Sequence, residues 1–234
     1  MMKKVFKRKN QDDLLITELE LQEKPKKKGF LKIFFTLFLA FCIFSGGVIS
    51  GYVLAKIDFS EIPLFQKKVD YGVPSWVTPA IIRIDGESRR GVKLDRVRDI
   101  AVHYVANPGS TAMGNRNFFD GPDSTTSAHF IVGLEGEVIL CVPLDEKSSA
   151  TNHRNNDTIS VEVCHPDETG EFAPKTRESL VKLLAFLLDK YDLKKDNLIR
   201  HYDVTGKMCP LYYVENPEAW EELKEDVDIL LKAK

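Results

Sequence analysis

The strongest hydrophobic signal in this 234-residue chain runs from Ile33 to Ala55 and contains no charged residue. A helix of this length reaches about 34 Å, which is enough for a bilayer core of about 30 Å. A cleaved secretory signal normally has an apolar region of only about 7–15 residues, and the sequence Val53-Leu54-Ala55 is a weak cleavage pattern. The run therefore predicts one uncleaved transmembrane signal-anchor, with bounds at residues 29–56.

Lysines are distributed unequally around this run. Five of them precede it closely, whereas the other flank offers one neighbour and two more distant residues: Lys24, Lys26, Lys27, Lys28 and Lys32 before it, and Lys56, Lys67 and Lys68 after it. The positive-inside rule then predicts that residues 1–28 form a basic cytoplasmic tail and that residues 57–234 lie outside the cell membrane. The tail has little apolar surface to bury, so we expect it to be disordered, and its basic cluster favours anionic lipid headgroups.

Beyond the predicted anchor, the pattern first loses its period and then becomes that of a globular domain. Residues 57–95 contain three scattered prolines and a charged run, which predicts a linker outside the membrane. From residue 96 to residue 234, short apolar or alternating runs predict five strands, at 99–105, 128–133, 137–143, 158–164 and 198–201. The second and third of these are joined by a glycine-containing turn that suits a hairpin.

Three segments of this region have the pattern of helices. An apolar stripe with helical spacing marks residues 175–192. Residues 216–233 predict a closing helix, with Asn216 as its N-cap and Pro217 in its first turn. A shorter helix is predicted at 112–119. Strands that interleave with helices indicate an α/β domain of roughly 140 residues, which is long enough to bury a core.

Composition narrows the class of protein further. The formal net charge of −2 is not typical of a nucleic-acid binder, which is usually strongly basic. One cysteine, Cys42, lies in the predicted membrane span, and Cys141, Cys164 and Cys209 lie outside it. An odd number outside means that one thiol is free, metal-bound or paired between chains. Spacing alone does not pair Cys141 with Cys164, and we interpret both as buried free thiols.

The segment Arg200–Pro210 holds a histidine and a cysteine that suit a metal, at positions 201 and 209. Eight residues of helix would separate them by roughly 12 Å, and an extended strand by roughly 26 Å. Two ligand atoms of one zinc ion lie only about 3–4 Å apart. The segment serves one metal only if it turns back on itself, which Gly206 permits and Pro210 favours by discouraging a continued helix.

Three further residues become interesting together with this segment. His103 ends a predicted strand, and with His201 and Cys209 it completes a His/His/Cys set of the kind that binds zinc and leaves a fourth position for water. Glu162 is an acidic residue in an otherwise apolar or small-residue strand, where it either faces solvent or acts as a general base. Lys207 is either a solvated surface lysine or an oxyanion partner close to Cys209.

Four sequence blocks, taken in order, resemble a known family. They read VHYVANPGSTAMGNRNFF, SAHFIV, TISVEVCHPDETG and RHYDVTGKMCP. Together, across about residues 96–225, they resemble the zinc-dependent N-acetylmuramoyl-L-alanine amidases of the amidase-2 family, which are related to the phage T7 lysozyme and the peptidoglycan recognition proteins. The resemblance implies a single mixed β-sheet flanked by helices. It also implies zinc ligands at His103, His201 and Cys209, a catalytic Glu162 and a transition-state lysine at Lys207.

The chain departs from part of this family at one position. Some members have a tyrosine before the histidine of the second block, where this chain has Ala128 before His129. Glu162 is expected to take over that role, and His129 either lines the site, braces a ligand or packs in the core. Further groove residues are expected at Asn115, Arg116, Asn117, Asn155 and Asn156. His153 and His165 are assigned no role.

The expected function is that of a membrane-anchored peptidoglycan hydrolase. The resemblance implies that zinc-activated water cleaves the amide bond between N-acetylmuramic acid and the L-alanine of the stem peptide. Two alternatives stay open: a non-catalytic module that binds or senses peptidoglycan, and a zinc amidase that acts on free muropeptides. Non-catalytic relatives typically lack the cysteine ligand, so Cys209 favours the enzyme. The expected partners are peptidoglycan and, through residues 29–56, the membrane, with no role for nucleic acid.

Overall fold

A computed structural model describes residues 69–233 of the chain. The predicted cytoplasmic tail, the predicted signal-anchor and the first part of the predicted linker lie outside these residues. Within residues 69–233, no helix combines the length and the apolar character that a bilayer crossing requires. The predictions for residues 1–56 therefore stay predictions.

Six strands of the described region form one mixed sheet in the order β1-β4-β3-β5-β2-β6. They are β1 Val77–Pro79, β2 Asp99–Tyr104, β3 Phe130–Val132, β4 Val138–Leu140, β5 Thr158–Val163 and β6 Leu198–Arg200. The five predicted strands are confirmed as β2 to β6. Among these six strands the only antiparallel pair is β3 with β4, the predicted hairpin, where Gly136 adopts a positive φ of 85°. The remaining neighbours are parallel.

Five helices accompany this sheet in the described part of the chain. They are α1 Ala112–Phe119, α2 Pro174–Lys190, α3 His201–Thr205, α4 Leu211–Glu215 and α5 Pro217–Lys232. The predicted helices correspond to α1, α2 and α5. Short 3-10 turns occupy Asn152–Arg154 and Lys195–Asn197.

The core divides into two apolar clusters. In the larger cluster, strand side chains pack with α2 and α5, and the leucine stripe of α2 is fully buried. The smaller cluster joins the hairpin and Cys164 to residues of α1. Burial of a leucine side chain contributes about 1.5–3 kcal/mol, so the predicted helical stripe is a main source of stability for this domain.

The second part of the predicted linker is folded in the structure. Residues 69–95 belong to the same compact unit as the rest of the described domain, and they contribute β1 to its sheet. The strand escaped prediction because it is only three residues long and ends in proline. Pro79 is tolerated there because β1 is an edge strand. Arg89 fixes the following segment by pairing twice with Glu146, at 2.8 and 2.9 Å.

The start of α5 needs a smaller correction. Asn216 precedes the helix and Pro217 opens it, as predicted, but the Asn216 side chain makes no capping hydrogen bond. Its Nδ2 donates instead to the carbonyl of Tyr212 at 2.9 Å. The Asn216 side chain is therefore bonded back to α4 rather than to the first turn of α5.

Candidate metal and catalytic site

Two parallel central strands bring a histidine and a glutamate to one edge of the sheet. His103 lies near the carboxyl end of β2, and its partner in register on β5 is Glu162. Residues that are partners in register on two paired strands point to the same face of the sheet, so both side chains project to the same side. The apolar residues before them on each strand are buried and hold this edge in place.

The segment from His201 to Cys209 turns back on itself, as the sequence predicts. His201 directly follows β6 and is the first residue of α3, which ends at Gly206 with a positive φ of 78°. The Tyr202 backbone N–H then donates to the Cys209 carbonyl at 3.0 Å. This bond closes the turn and brings residue 209 beside residue 201.

His103, His201 and Cys209 offer three ligand atoms that lie within 4.8 Å of one another. The Nδ1 atoms of the two histidines are 3.1 Å apart, and the Cys209 Sγ lies 3.9 Å from the His103 Nδ1. The ligand atoms of one tetrahedral zinc ion are separated by about 3–4 Å. All three residues are buried. The group is therefore able to hold a metal ion.

The outer nitrogens of the two imidazoles determine which atoms face the metal position. The Nε2 of His201 lies 2.7 Å from the Asn152 Oδ1, and a carbonyl oxygen only accepts, so this Nε2 carries the proton and Nδ1 carries a lone pair. The Nε2 of His103 lies 3.3 Å from the Thr151 hydroxyl. With a lone pair on the His103 Nδ1 as well, the two nitrogens 3.1 Å apart would repel each other unless a proton or a cation lay between them. This donor arrangement fits zinc.

Burial keeps both imidazoles neutral, which is the form that binds metals. It lowers the pKa of His103 to about 3, assisted by His201 and by the Lys207 ammonium. Burial, and then Lys207, also lower the pKa of His201. Burial and the charge of Glu162 raise the pKa of Cys209 to about 12, against the Tyr104 backbone N–H and Lys207, which lower it. A bound metal would deprotonate this thiol outright.

Glu162 has a carboxylate oxygen without a protein partner. Its Oε2 is buried and makes no hydrogen bond. Burial raises the pKa of Glu162 to about 8, and the Lys207 ammonium lowers it in part. Lys207 itself is exposed at the rim of the site. A buried carboxylate oxygen without a partner is costly unless it serves a purpose, and proton transfer is one such purpose.

Comparison with known proteins now bears on this arrangement. The family model described as Amidase_2, N-acetylmuramoyl-L-alanine amidase, matches residues 93–211. The chain belongs to the amidase-2 family. The match contains all five residues that the sequence predicts as metal or catalytic groups.

Individual amidase-2 relatives support the same assignment. The N-acetylmuramoyl-L-alanine amidase CwlL of Bacillus licheniformis is 29% identical over 172 residues, which cover 66% of this chain and 47% of that protein. The amidase BlyA of Bacillus subtilis (strain 168) is 30% identical over 178 residues, covering 67% and 48%. The chain thus spans about half the length of the curated relatives it matches.

A solved structure confirms the fold class. The catalytic domain of XlyA, an amidase of Bacillus subtilis (strain 168), superposes with a TM-score of 0.57 at 25% identity, covering 64% of this chain and 98% of that one. The predicted single mixed sheet flanked by helices is therefore the amidase-2 fold.

In this amidase-2 domain the three candidate metal ligands line a cavity of about 1090 Å³. His103, Glu162, His201, Lys207 and Cys209 all line it, so the structure brings the five predicted residues together. Of the predicted groove residues, Asn115 and Asn155 also line the cavity. The Asn155 Oδ1 is occupied by the backbone N–H groups of Ala150 and Thr151, at 3.1 and 2.6 Å.

The remaining predicted groove residues do not line this cavity. Arg116 donates to the carbonyls of Ala80 and Ile81 at 2.9 and 2.7 Å and pairs with Asp120. Asn156 donates to Asp95 at 3.0 Å. Both side chains therefore bind the 80–95 segment to the domain. This role could not be predicted from the sequence, because the sequence pattern indicates a linker there. Asn117 is likewise absent from the cavity lining.

His129 packs in the core rather than in the site. It is fully buried, its Nε2 donates to the Glu146 carbonyl at 2.8 Å, and its Nδ1 accepts from the Ser160 N–H at 3.0 Å. Of the three interpretations of His129, the structure supports the packed one.

Several residues that line the cavity escaped prediction. Glu87, Arg90 and Val92 come from the segment interpreted as a linker, and Phe118 presents an exposed aromatic ring from α1. Asn152 also lines the cavity, and the fully buried Thr151 lies behind the site. These two residues contact the two histidines, and they had no sequence signal because they lie in a polar stretch with ordinary loop composition. An alternating period before residue 96 would have revealed the first group, and none is present.

The cysteines outside the site agree with the prediction. Cys141 and Cys164 are free and buried, and burial raises the pKa of each thiol to about 12. The Asn115 amide approaches the Cys164 Sγ at 3.5 Å. Both thiols therefore stay protonated and inert at neutral pH.

Proposed function

We propose that this chain is a membrane-anchored, zinc-dependent N-acetylmuramoyl-L-alanine amidase that cleaves peptidoglycan between N-acetylmuramic acid and L-alanine. One observation carries the proposal: His103, His201 and Cys209 converge in a cavity that also contains the unpartnered Oε2 of Glu162. A module that only binds peptidoglycan has no need for a buried carboxylate oxygen without a hydrogen bond beside three metal-type ligands. Membership of the amidase-2 family adds the bond that is cut.

The proposed zinc site uses the Nδ1 atoms of His103 and His201 and the Sγ of Cys209. When bound, zinc supplies a Lewis acid that makes water a competent nucleophile near neutral pH and polarises the amide carbonyl. Three protein ligands would leave one position for water or substrate, as in catalytic rather than structural zinc sites. A Cys209 thiolate would add one negative charge, which would strengthen retention of the metal and temper its acidity.

Glu162 is the proposed general base. Its buried Oε2 has no protein hydrogen bond to break before it accepts a proton from the attacking water. The same carboxyl group then donates this proton to the departing amine of L-alanine. Burial raises the basicity of Glu162, and a nearby cation lowers it, so the two effects together place its pKa in the range suited to general acid–base catalysis.

Lys207 is the proposed partner of the developing negative charge on the substrate carbonyl oxygen. It lies at the cavity rim, close enough to lower the pKa of Glu162 and of both histidines. Preorganised positive charge of this kind contributes more as the tetrahedral intermediate forms than in the ground state.

The membrane location belongs to the same proposal. It is supported by the uncharged run Ile33–Ala55 and by the excess of lysines before it. An anchor of this kind confines the domain to the inner face of the cell wall, where the substrate is a long polymer.

The test is digestion of purified cell-wall sacculi by the full-length chain, with products analysed by mass spectrometry. We expect release of intact stem peptides with a free amine on L-alanine, loss of release with a zinc chelator, and recovery when zinc is restored. A parallel reaction on soluble muropeptides distinguishes polymer from fragment as the substrate. Binding to sacculi without any cleavage would favour the non-catalytic alternative, and cleavage at another bond would overturn the assigned reaction.

A further inference from the structure

Both candidate histidine ligands are contacted from behind by one short turn, residues 151–155, which we call the outer turn. The Asn152 Oδ1 accepts from the His201 Nε2 at 2.7 Å, and the Thr151 Oγ1 lies 3.3 Å from the His103 Nε2. Although His103 and His201 are 98 residues apart in sequence, adjacent residues of the outer turn serve them.

The outer turn is fixed to the domain at several points. The Asn155 Oδ1 accepts from the backbone N–H groups of Ala150 and Thr151 and so closes the turn on itself. Arg154 pairs with Asp157 at 2.7 Å and with Asp99 at the start of β2. Thr151 is fully buried. These bonds hold the two outer partners at a constant distance from β2, the strand that carries His103.

Asn152 has a backbone conformation that few residues adopt. Its φ is 54°, in the left-handed region, where side chains with a Cβ are disfavoured by about 1–2 kcal/mol and asparagine is among the better tolerated. The backbone accepts this cost at a residue whose side chain reaches the His201 Nε2.

We propose that Asn152 and Thr151 are positioning residues of the metal site, with Asn152 holding His201 in the tautomer whose Nδ1 faces His103. The inference deepens the proposed zinc function and rests on it. Asn152 fixes both the ring plane and the proton of His201, so that a lone pair is ready at Nδ1 before the metal arrives. Outer partners of metal-bound histidines typically account for about 10–100-fold in metal affinity.

Two substitutions separate the side-chain oxygen from the backbone conformation. Asn152→Gly keeps the positive φ at low cost and removes the acceptor, so the fold should persist while His201 loses its partner. Asn152→Asp keeps an acceptor oxygen at the same place and also tolerates the left-handed region. His153→Ala is the matched control, because His153 is an exposed neighbour in the same turn.

The experiment measures zinc affinity of the full-length chain by chelator competition, together with the absorption spectrum of the cobalt-substituted protein and the thermal midpoint without metal. We expect Asn152→Gly to weaken zinc binding about 10–100-fold and to change the cobalt spectrum, and Asn152→Asp to stay within about threefold of the natural chain. His153→Ala should match the natural chain. Thr151→Val, which keeps the shape and removes the hydroxyl, should weaken binding by a smaller factor than Asn152→Gly.

Three results would overturn the inference. Unchanged zinc affinity in Asn152→Gly would remove Asn152 from the site. Equal losses in Asn152→Gly and Asn152→Asp would show that the acceptor oxygen is not what matters. An equal loss in His153→Ala would assign the effect to the turn as a whole. If instead the natural chain binds no zinc, the proposed function itself fails, and that result is visible before any variant is compared.

Discussion

His129 in the core and the two histidines of the cavity, His103 and His201, are all buried and differ in how their ring nitrogens are partnered. In the core, both ring nitrogens of His129 bond to backbone groups, those of Glu146 and Ser160. In the cavity, the outer nitrogens of His103 and His201 contact Thr151 and Asn152, whereas their inner nitrogens face each other and, for His103, the Cys209 Sγ. Burial lowers the pKa of His129 to about 4 and that of His103 to about 3. For these three histidines, burial and a lowered pKa thus do not separate the structural residue from the candidate ligands, but the partners of the ring nitrogens do.

The buried cysteines repeat the contrast. Cys164 lies between apolar residues and accepts from an asparagine amide, whereas Cys209 lies 3.9 Å from the His103 Nδ1. Burial raises the pKa of both thiols to about 12. Only Cys209 has neighbours with which it would share a metal.

The largest expected effect comes from exchanging each of these thiols for a hydroxyl. Cys209→Ser should lose both bound zinc and wall digestion, because a serine hydroxyl is a far poorer zinc ligand than a thiolate. Cys164→Ser, the matched control, should keep zinc near one per chain. The measurements are metal content after dialysis and release of stem peptides. Unchanged zinc content in Cys209→Ser would remove Cys209 from the ligand set and break the contrast between the two thiols.

The next largest effect is expected from Glu162, the proposed base, which is not one of the proposed metal ligands. Glu162→Gln keeps the shape of the side chain and removes the base, so wall digestion should fall by about 10²–10⁴-fold while zinc stays near one per chain. Steady-state kinetics and metal analysis on the same preparation check this. Retained digestion would sink the assignment of Glu162 as the base, and lost zinc would move it into the ligand set.

The smallest effect on activity is expected from substitution of His129 in the core. His129 is neutral in the fold because burial lowers its pKa to about 4 from an ordinary 6.5, against the opposing pull of Glu146. Its contribution to stability is therefore fully present above pH 6.5 and is lost as the pH falls towards 4, by up to about 3 kcal/mol.

His129→Gln removes this titration. We expect the variant to lose less stability between pH 6.5 and pH 4 than the natural chain, and to keep its zinc. Denaturant unfolding of the metal-free proteins across this pH range is the measurement, and the difference between the two slopes isolates His129 from other groups. Identical slopes would contradict the neutral, packed state of His129, and lost zinc would place it in the site.

Much of the fold was predictable because its signals are local. The leucine stripe of α2 and the alternation of β5 reflect burial on one face of a helix or strand, and that periodicity is written in consecutive residues. β1 could not be predicted, since three residues ending in Pro79 have no period, and their pairing with β4 depends on a hairpin some 60 residues later. Arg116 and Asn156 were predicted as groove residues for the same reason, because their partners lie in the 80–95 segment that follows β1.

The sequence by itself determined the chemical types available: two histidines, a cysteine, a glutamate and a lysine in segments that resemble one family. It also required that the segment from His201 to Cys209 turn back, since helical or extended chain would keep the two side chains too far apart. The tertiary structure decided what depends on distances between remote segments. It placed His103 in register with Glu162, assigned His129 to the core, and brought Asn152 against His201. The physical reason is that burial pattern follows from neighbours in the chain, whereas the partner of a hydrogen-bonding atom is chosen by packing of the whole domain.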